Sequence, residues 1–96
     1  MFDKMKQLME MKKQADQIKR ELEANSIESE DVRGIKIVIN GAQNIKSVEI
    51  EPTLLGADNK KRLESDLLRS FNAAVRKSQN LAAEKMKTLM PGFPGL

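Results

Sequence analysis

Apolar and polar residues alternate most regularly between residues 35 and 52. Two runs rich in β-branched residues, 35–39 and 45–50, flank the turn-forming residues 41–44. β-Branched side chains suit the pleated, half-buried surface of a strand, and two such runs around a Gly/Asn cluster are typical of an antiparallel hairpin. The pattern therefore predicts a hairpin that joins and orients two helices.

Side-chain parity predicts the register of this hairpin. Side chains alternate between the faces of a strand, and directly opposed residues share a face. The apolar residues have odd numbers in the first run and mostly even numbers in the second, so the numbers of each pair must add up to an odd value. A four-residue loop, 41–44, satisfies this rule, whereas the alternative two-residue turn at Gly41 and Ala42 loses an opposite-charge pair. The predicted pairs are Ile35 with Ile50, Lys36 with Glu49, and Ile37 with Val48.

Helical periodicity predicts the segments on either side of the hairpin. Apolar residues in the first segment, 1–24, recur at intervals of three and four and form one narrow stripe, with a mean repeat near the ~3.5 residues of a coiled coil. They are Met1, Met5, Leu8, Met11, Ala15, Ile18 and Leu22. The last segment, 59–90, has no internal Gly or Pro, and Asp58 is expected to cap it.

Shorter elements complete the predicted fold. Residues 26–30 are expected to add an edge strand, because a three-stranded meander is more stable than an isolated hairpin. Residues 52–56 begin with Pro and end with Gly, as in a brief helical turn. The Gly/Pro-rich residues 91–96 are expected to form a flexible tail. The chain is thus predicted to be a single domain, 1–96, of the α+β class, with an antiparallel sheet within 26–51.

The last helix separates apolar from basic residues when it is projected at about 100° per residue. One side collects Leu67, Leu68, Phe71, Ala74, Val75, Ala82, Met86 and Leu89. The opposite side carries Arg62, Arg69, Arg76, Asn80 and Lys87, with Asp66 and Glu84 at its border. Guanidinium groups that face away from a core suit phosphate oxygens. The alternative interpretation is that these basic residues only form an ordinary solvated face of the helix.

The first helix carries a second basic row. Lys6, Lys13 and Arg20 recur every seventh residue on a flank away from the apolar stripe, and three acidic residues lie beside them. Charges of this kind often serve only to keep a helix solvated and to support it through i,i+4 pairs. Both interpretations, phosphate contact and solvation, apply to this row.

Helix length predicts a dimer. At ~1.5 Å per residue the two helices would be about 33 and 48 Å long, whereas strands of six or seven residues span only about 20 to 23 Å. Both helices must therefore extend beyond the sheet, where one copy of the sheet cannot cover their apolar residues. A symmetric homodimer with helical arms on a shared sheet platform is the expected assembly.

Composition excludes several classes of function. The chain has 17 basic and 14 acidic residues, a formal charge of +3, so the distribution of charge matters more than its sum. It contains no Cys, His, Trp or Tyr, which removes disulfides, thiolate and imidazole nucleophiles, the usual transition-metal sites and most stacking on single-stranded bases. No signal peptide or membrane-spanning run is visible. We expect a soluble, intracellular protein that is not an enzyme, with no catalytic residues, metal or cofactor.

Four stretches carry a family resemblance: Lys-Ile-Val-Ile-Asn-Gly-Ala at 36–42, Val-Glu-Ile-Glu-Pro-Thr-Leu-Leu at 48–55, Phe-Asn-Ala-Ala at 71–74 and Glu-Lys-Met at 84–86. Through them, nearly the whole chain resembles the YbaB/EbfC family of bacterial nucleoid-associated proteins. The resemblance implies an α-β-β-β-α fold with a small extra helical turn. It also implies a tweezer-like homodimer that binds DNA in the cytoplasm, at the nucleoid.

The chain departs from the family pattern at three places. Residues 29–34 replace a glycine-rich turn, Glu51 stands where aspartate is commoner before proline, and Gly56 and Ala57 stand where acidic residues are frequent. None of these positions lies in the core of the hairpin, so the expected fold is unchanged.

The basic rows and the resemblance together predict a homodimer that binds double-stranded DNA through its phosphates, with little base specificity and with no membrane or small-molecule substrate. The predicted contacts are Lys6, Lys13, Arg20, Arg62, Arg69, Arg76 and Lys87. The alternative is a chaperone-like or scaffolding protein, similar to a prefoldin subunit. It would bind a protein partner through the methionine-rich surface Met1, Met5, Leu8, Met9 and Met11.

Overall fold

A helix, a small sheet and a second helix follow one another along the chain. The computed structural model describes residues 2–89, so the predicted helix end at Met90 and the tail 91–96 lie outside the described residues. The elements are α1 (Phe2–Ala24), β1 (Ser26–Val32), β2 (Ile35–Asn40), β3 (Ile45–Ile50) and α2 (Lys60–Leu89), with 3-10 turns at Pro52–Leu54 and Ala57–Asn59. The strands form one antiparallel sheet in the order β1-β2-β3, which confirms the predicted α+β class.

The register of the β2–β3 hairpin is the predicted one. The pairs are Ile35 with Ile50, Lys36 with Glu49, and Ile37 with Val48. The Nζ atom of Lys36 lies 4.0 Å from Oε2 of Glu49 across the two strands. Residues 41–44 connect the strands, as the four-residue loop requires. Parity and the opposite-charge pair therefore identified the correct register.

Each outer strand contains a β-bulge that was not predicted. In β1, Glu30 and Asp31 stand together opposite a single residue of β2. In β3, the residue between Ile45 and Ser47 is extra, because these two pair with consecutive residues of β2. Ile45 and Val48 are three residues apart and would lie on opposite faces of a regular strand. The bulge places both on the face that α2 covers.

The hydrophobic core lies between α2 and one face of the sheet. Its fully buried members are Ile35, Ile37, Ile39 and Ala74, and its partly buried members are Ile27, Val32, Leu54, Leu63, Leu67, Phe71 and Val75. α2 packs across β1 and β2 and leaves most of β3 uncovered. The core therefore fills only part of the sheet face.

The contact face of α2 differs from the predicted one. Its centre is formed by small residues at intervals of four, Ser70, Ala74 and Ser78, and all three are buried. Small side chains at a packing contact shorten the distance between elements. Leu68, predicted to lie on the core side, is 65% exposed. The flank of α2 that carries Leu68 is therefore not covered within one chain.

The linker before α2 also differs from the prediction. Asp58 does not cap α2, because it lies inside a second 3-10 turn that continues directly into the helix. Glu51 precedes the first turn and makes no side-chain capping hydrogen bond. Gly56 stands between the two turns with φ +143°, a backbone conformation that favours glycine.

Asn40 joins α1, the hairpin loop and α2. Its side chain is fully buried, and Oδ1 accepts hydrogen bonds from the N–H groups of Ala42 and Asn44, each at 3.0 Å. Its Nδ2 donates to the carbonyl of Glu23 in α1 at 3.3 Å. Its carbonyl accepts from Oγ of Ser78 in α2 at 2.7 Å. One residue thus links the end of α1, the hairpin loop and the interior of α2.

Gly41 lets α1 approach the hairpin closely. Its N–H group donates to the carbonyls of Leu22 at 2.8 Å and Asn25 at 3.0 Å. A Cβ atom at this position would lie 3.0 Å from the Leu22 carbonyl oxygen and 3.2 Å from its Cα. These are backbone atoms, so a side chain at this position would require α1 to shift by a few tenths of an ångström.

Both helices extend beyond the sheet, as the length comparison predicts. The molecule measures 67 × 20 × 17 Å. Residues 3–17 of α1 are all exposed, Ile18 is buried, and α1 contacts both α2 and β2. At ~1.5 Å per residue, α1 spans about 34 Å and α2 about 45 Å. In the described residues, no helix is both long and apolar enough to cross a membrane.

Candidate nucleic-acid interface

Positive charge is concentrated on α2. This helix contains eight basic and three acidic residues, a net charge of +5. α1 contains six basic and five acidic residues, a net charge of +1. The sheet region, 26–51, contains three basic and five acidic residues, a net charge of −2. The modest total of +3 therefore conceals a strong separation of charge between α2 and the sheet.

The basic row of α2 faces solvent along the helix. Arg62, Arg69, Arg76 and Lys87 are all exposed. Arg62 and Lys87 are separated by about 37 Å along the helix axis at ~1.5 Å per residue. This length is close to one turn of B-DNA, about 34 to 36 Å. The row is therefore long enough to follow a duplex across one turn.

Arg69 already has a carboxylate partner. Its Nε donates a hydrogen bond to Oδ2 of Asp31 at 2.7 Å. The two side chains are 68% and 35% exposed, so the ion pair lies at the surface. Asp31 belongs to the bulge in β1, 38 residues away along the chain. Arg69 is therefore paired, at the surface, with a carboxylate of the sheet.

The other members of the row differ in their partners. Nε of Arg62 lies 4.0 Å from Oδ2 of Asp66, one turn further along α2. Arg76 and Lys87 make no ion pair within 4.0 Å with any residue in the described part of the chain. The two cations of the row without an ion-pair partner among the described residues, Arg76 and Lys87, thus lie in the C-terminal half of α2.

The basic row of α1 lies on the solvent side of that helix. Lys6, Lys13 and Arg20 are exposed, while Ile18, on the other side of the helix, is buried. Lys13 and Arg20 line a shallow hollow in the helix surface together with Asp16 and Gln17. The structure thus brings two of the three predicted residues together, with one carboxylate between them.

The face of the sheet that α2 does not cover is acidic. A shallow cleft there is lined by Glu30, Glu49 and Glu51 together with Lys36. Carboxylates repel phosphate, so this surface does not suit a nucleic-acid backbone. Within residues 2–89, no group of three or more acidic side chains is placed to hold a metal ion. The basic surface of the described residues therefore lies on the helices, and the exposed sheet face is acidic.

Sequence comparison identifies the family. The family model of the YbaB/EbfC DNA-binding family matches residues 1–93. The chain belongs to the YbaB/EbfC DNA-binding family. It is also 33% identical over 94 residues to a nucleoid-associated protein of Dictyoglomus thermophilum, an alignment that covers 97% of this chain and 90% of that protein. A nucleoid-associated protein of Chloroflexus aurantiacus is 33% identical over 93 residues, covering 96% of this chain and 93% of the relative.

Family membership confirms the resemblance that the hairpin motifs indicated and assigns the chain to a group of nucleoid-associated DNA-binding proteins. Two of these motifs now have a structural role. Asn40 and Gly41 form the joint between α1 and the hairpin, and the pairs across 35–37 and 48–50 form the centre of the sheet. These motifs therefore contribute to the joint between α1 and the hairpin and to the register of the sheet.

Sequence reasoning missed Asp31 as a neighbour of the basic row. The projection of α2 shows only residues of the same helix, such as Asp66. Asp31 reaches Arg69 because the β1 bulge alters the alternation of side chains near the end of the strand. The acidic run Glu28, Glu30 and Asp31 was the one local signal, and it did not indicate which helix residue lay opposite.

Proposed function

We propose that this YbaB/EbfC protein acts at the nucleoid as a homodimer that binds double-stranded DNA mainly through the phosphate backbone, with low sequence specificity. The observation that carries the proposal is the separation of charge, +5 on α2 against −2 on the sheet. Lysine and arginine on an exposed helix face neutralise phosphates and release condensed counterions. The proposed contacts are Lys6, Lys13, Arg20, Arg62, Arg69, Arg76 and Lys87.

Low specificity follows from the chemistry of the rows. Phosphate contacts fix the position of a protein on a duplex but carry no direct sequence information. The rows consist of arginine and lysine without interleaved aromatic residues, so stacking on unpaired bases makes no contribution. Affinity should therefore depend on salt far more than on base sequence.

The homodimer is supported by apolar surface that one chain leaves uncovered. On the α2 side of the sheet, Ile45 and Val48 of β3 are 43% and 40% exposed. Leu68 lies on the flank of α2 opposite to the flank from which Arg69 reaches β1, so it is on the β3 side. Uncovered apolar groups that adjoin a core suit a self-complementary, two-fold interface.

A salt titration tests the proposal. Two unrelated duplexes of equal length are titrated with the protein at several salt concentrations, and its mass is measured by light scattering. If a dimer neutralises six to ten phosphates, log affinity should fall with log salt at a slope of roughly −5 to −9. Equal affinities for the two duplexes support low specificity. Absence of binding at about 50 mM salt, where phosphate contacts are strong, would contradict DNA binding itself.

Substitution of Arg76 tests the basic row of α2. Arg76→Gln removes an exposed charge that has no ion-pair partner in the described part of the chain. Because a dimer carries two copies, the salt slope should become shallower by about two units, with similar losses on both duplexes. Lys61→Gln, an exposed site elsewhere on α2, removes the same charge as a control. Equal effects of the two substitutions would contradict a contact role for the row.

One observation favours the chaperone-like alternative. Met5, Leu8 and Met9 are each 64 to 66% exposed, and Met11 is 48% exposed; Met1 lies outside the described residues. Flexible methionine side chains suit irregular protein surfaces. If this surface is the functional one, the protein should suppress aggregation of an unfolded client at a salt concentration that abolishes DNA binding. Met5→Gln combined with Met9→Gln should then remove the suppression and leave DNA affinity unchanged.

A further inference from the structure

Asp31 is the carboxylate nearest to the middle of the basic row on α2. Its Oδ2 accepts the Nε–H group of Arg69 at 2.7 Å. The bulge of β1 positions it there: Glu30 and Asp31 share one partner in β2, after which Val32 returns to the core side opposite Ile35. The carboxylate is therefore positioned by the sheet and does not belong to α2.

We infer that Asp31 lowers the affinity of the protein for DNA by neutralising Arg69, an inference that rests on the proposed function. The pair carries no net charge, so it contributes little to the release of counterions from a duplex. A phosphate that approached Arg69 would also meet the negative charge of Asp31 at a distance of several ångströms. Arg69 can contact a phosphate only when its hydrogen bond to Asp31 is broken.

The pair can be exchanged because both partners are exposed. Arg69 is 68% and Asp31 is 35% accessible to solvent. Surface ion pairs are weak compared with buried ones, so the protein does not depend on this contact to fold. The ion pair between Asp31 and Arg69 instead determines how strongly Arg69 attracts phosphate. The same carboxylate would oppose tight, long-lived binding at low salt more than at high salt.

Asp31→Asn tests this inference, with Glu30→Gln as its matched control. Both substitutions remove one negative charge per subunit from neighbouring residues of the same bulge, but only the first leaves Arg69 without a carboxylate. Asp31→Asn should raise duplex affinity about tenfold or more at about 0.1 M salt and steepen the salt slope by up to about two units per dimer. Glu30→Gln should change the affinity less than about threefold and leave the slope unchanged.

A double-mutant cycle attributes the effect to Arg69. In an Arg69→Gln background, Asp31→Asn should no longer raise the affinity or change the slope. A gain of the same size in that background would show a general field effect and overturn the inference. A loss of affinity in Asp31→Asn alone would also overturn it, because Asp31 would then orient Arg69 towards phosphate.

The failures of the two proposals are distinguishable. If the unsubstituted protein does not bind either duplex, the proposed function fails. If it binds with a steep salt slope while Asp31→Asn and Glu30→Gln behave alike, the inference about Asp31 fails and the proposed function stands. Melting temperatures of all variants should remain within a few degrees of the unsubstituted protein, since the broken ion pair is exposed.

Discussion

At the scale of single residues, two buried serines at the helix–sheet contact differ in whether the hydroxyl has a partner. Ser78 is fully buried, and its Oγ donates to the carbonyl of Asn40 at 2.7 Å. Ser29 of β1 is 1% exposed, and its Oγ has no hydrogen-bond partner among residues 2–89. A buried hydroxyl without a partner has lost its hydrogen bonds to water and gained none. The same substitution should therefore have opposite effects at the two positions.

Ser29→Ala should raise the free energy of unfolding by up to about 1 kcal/mol, because it removes an unsatisfied polar group. Ser78→Ala should lower it by about 1 to 2 kcal/mol, because it leaves the Asn40 carbonyl with one bond fewer and breaks a link between α2 and the hairpin. Urea unfolding at a fixed protein concentration measures both. Equal losses in the two variants would mean that the Ser29 hydroxyl finds a partner in solution.

At the scale of elements, the joint between α1 and the hairpin depends on the contact at Gly41. Gly41→Ala would place a methyl group 3.0 Å from the carbonyl oxygen of Leu22. Either α1 moves away from the hairpin or the strain remains, and both outcomes weaken the hydrogen bonds that Gly41 donates to α1 and its linker. We expect a loss of about 1 to 3 kcal/mol of stability, as for other overpacked sites.

The control for this prediction is Ala42→Ser, at the next loop position, which is only partly buried and should change stability by less than about 0.5 kcal/mol. Truncation of Leu22 to Ala removes the side-chain part of the clash but not the backbone part. Gly41→Ala should therefore remain destabilising in a Leu22→Ala background. Full rescue there would show that the Leu22 side chain, and not the backbone, sets the approach of α1.

The hairpin register was predictable because two signals complement each other. Odd and even numbering of the apolar residues restricts the pairs to odd sums, and the pairing of Lys36 with Glu49 then selects the four-residue loop over the two-residue turn. The bulges were not predictable, because an inserted residue such as Lys46 carries no local signal of its own. Their effect is large: they decide that Ile45 lies beside Val48 and that Asp31 lies within reach of Arg69.

The face of α2 was predicted only in part. Projection places the centre of the contact on the largest apolar side chains, and therefore includes Leu68. The observed centre is Ala74, between the buried Ser70 and Ser78, because small residues allow close helix–sheet packing. Polar serines gave no signal for burial in the sequence. The exposure of the basic row was predictable because its residues lie on the side of the helix roughly opposite to Ala74.

At the scale of the whole molecule, a compact end and an extended helical end lie along the 67 Å length. The compact end holds the core, the acidic sheet face and the uncovered apolar edge formed with β3. The other end consists of exposed helix that carries Lys87 of α2 and Lys6 and Lys13 of α1, whereas Arg76 lies near Ser78, where α2 meets the hairpin. A dimer joined at the compact end would present two sets of cations to one duplex. Occupation of both sets raises affinity through effective concentration, without any new contact.

A pair of glutamate substitutions on β3 tests this arrangement. Val48 and Ser47 are adjacent and both exposed, but Val48 pairs with the buried Ile37 on the α2 side, and Ser47 pairs with Val38 on the other face. If the dimer interface lies on the α2 side, Val48→Glu buries a charge within it and should yield monomers, because an unpaired charge in an apolar interface is strongly unfavourable. Ser47→Glu adds the same charge to the acidic face and should leave a dimer.

DNA binding by the same two variants then shows whether the dimer acts as one unit. Monomeric Val48→Glu should retain the basic rows but lose one set of cations per complex, so its salt slope should fall to about half of that of the dimer and its affinity by tenfold or more. Ser47→Glu should keep the slope, which controls for the added negative charge. A dimeric Val48→Glu would place the interface elsewhere. A monomer with an unchanged slope would mean that the two helices of one subunit make all of the phosphate contacts. Dimerisation would then contribute to stability and not to DNA affinity.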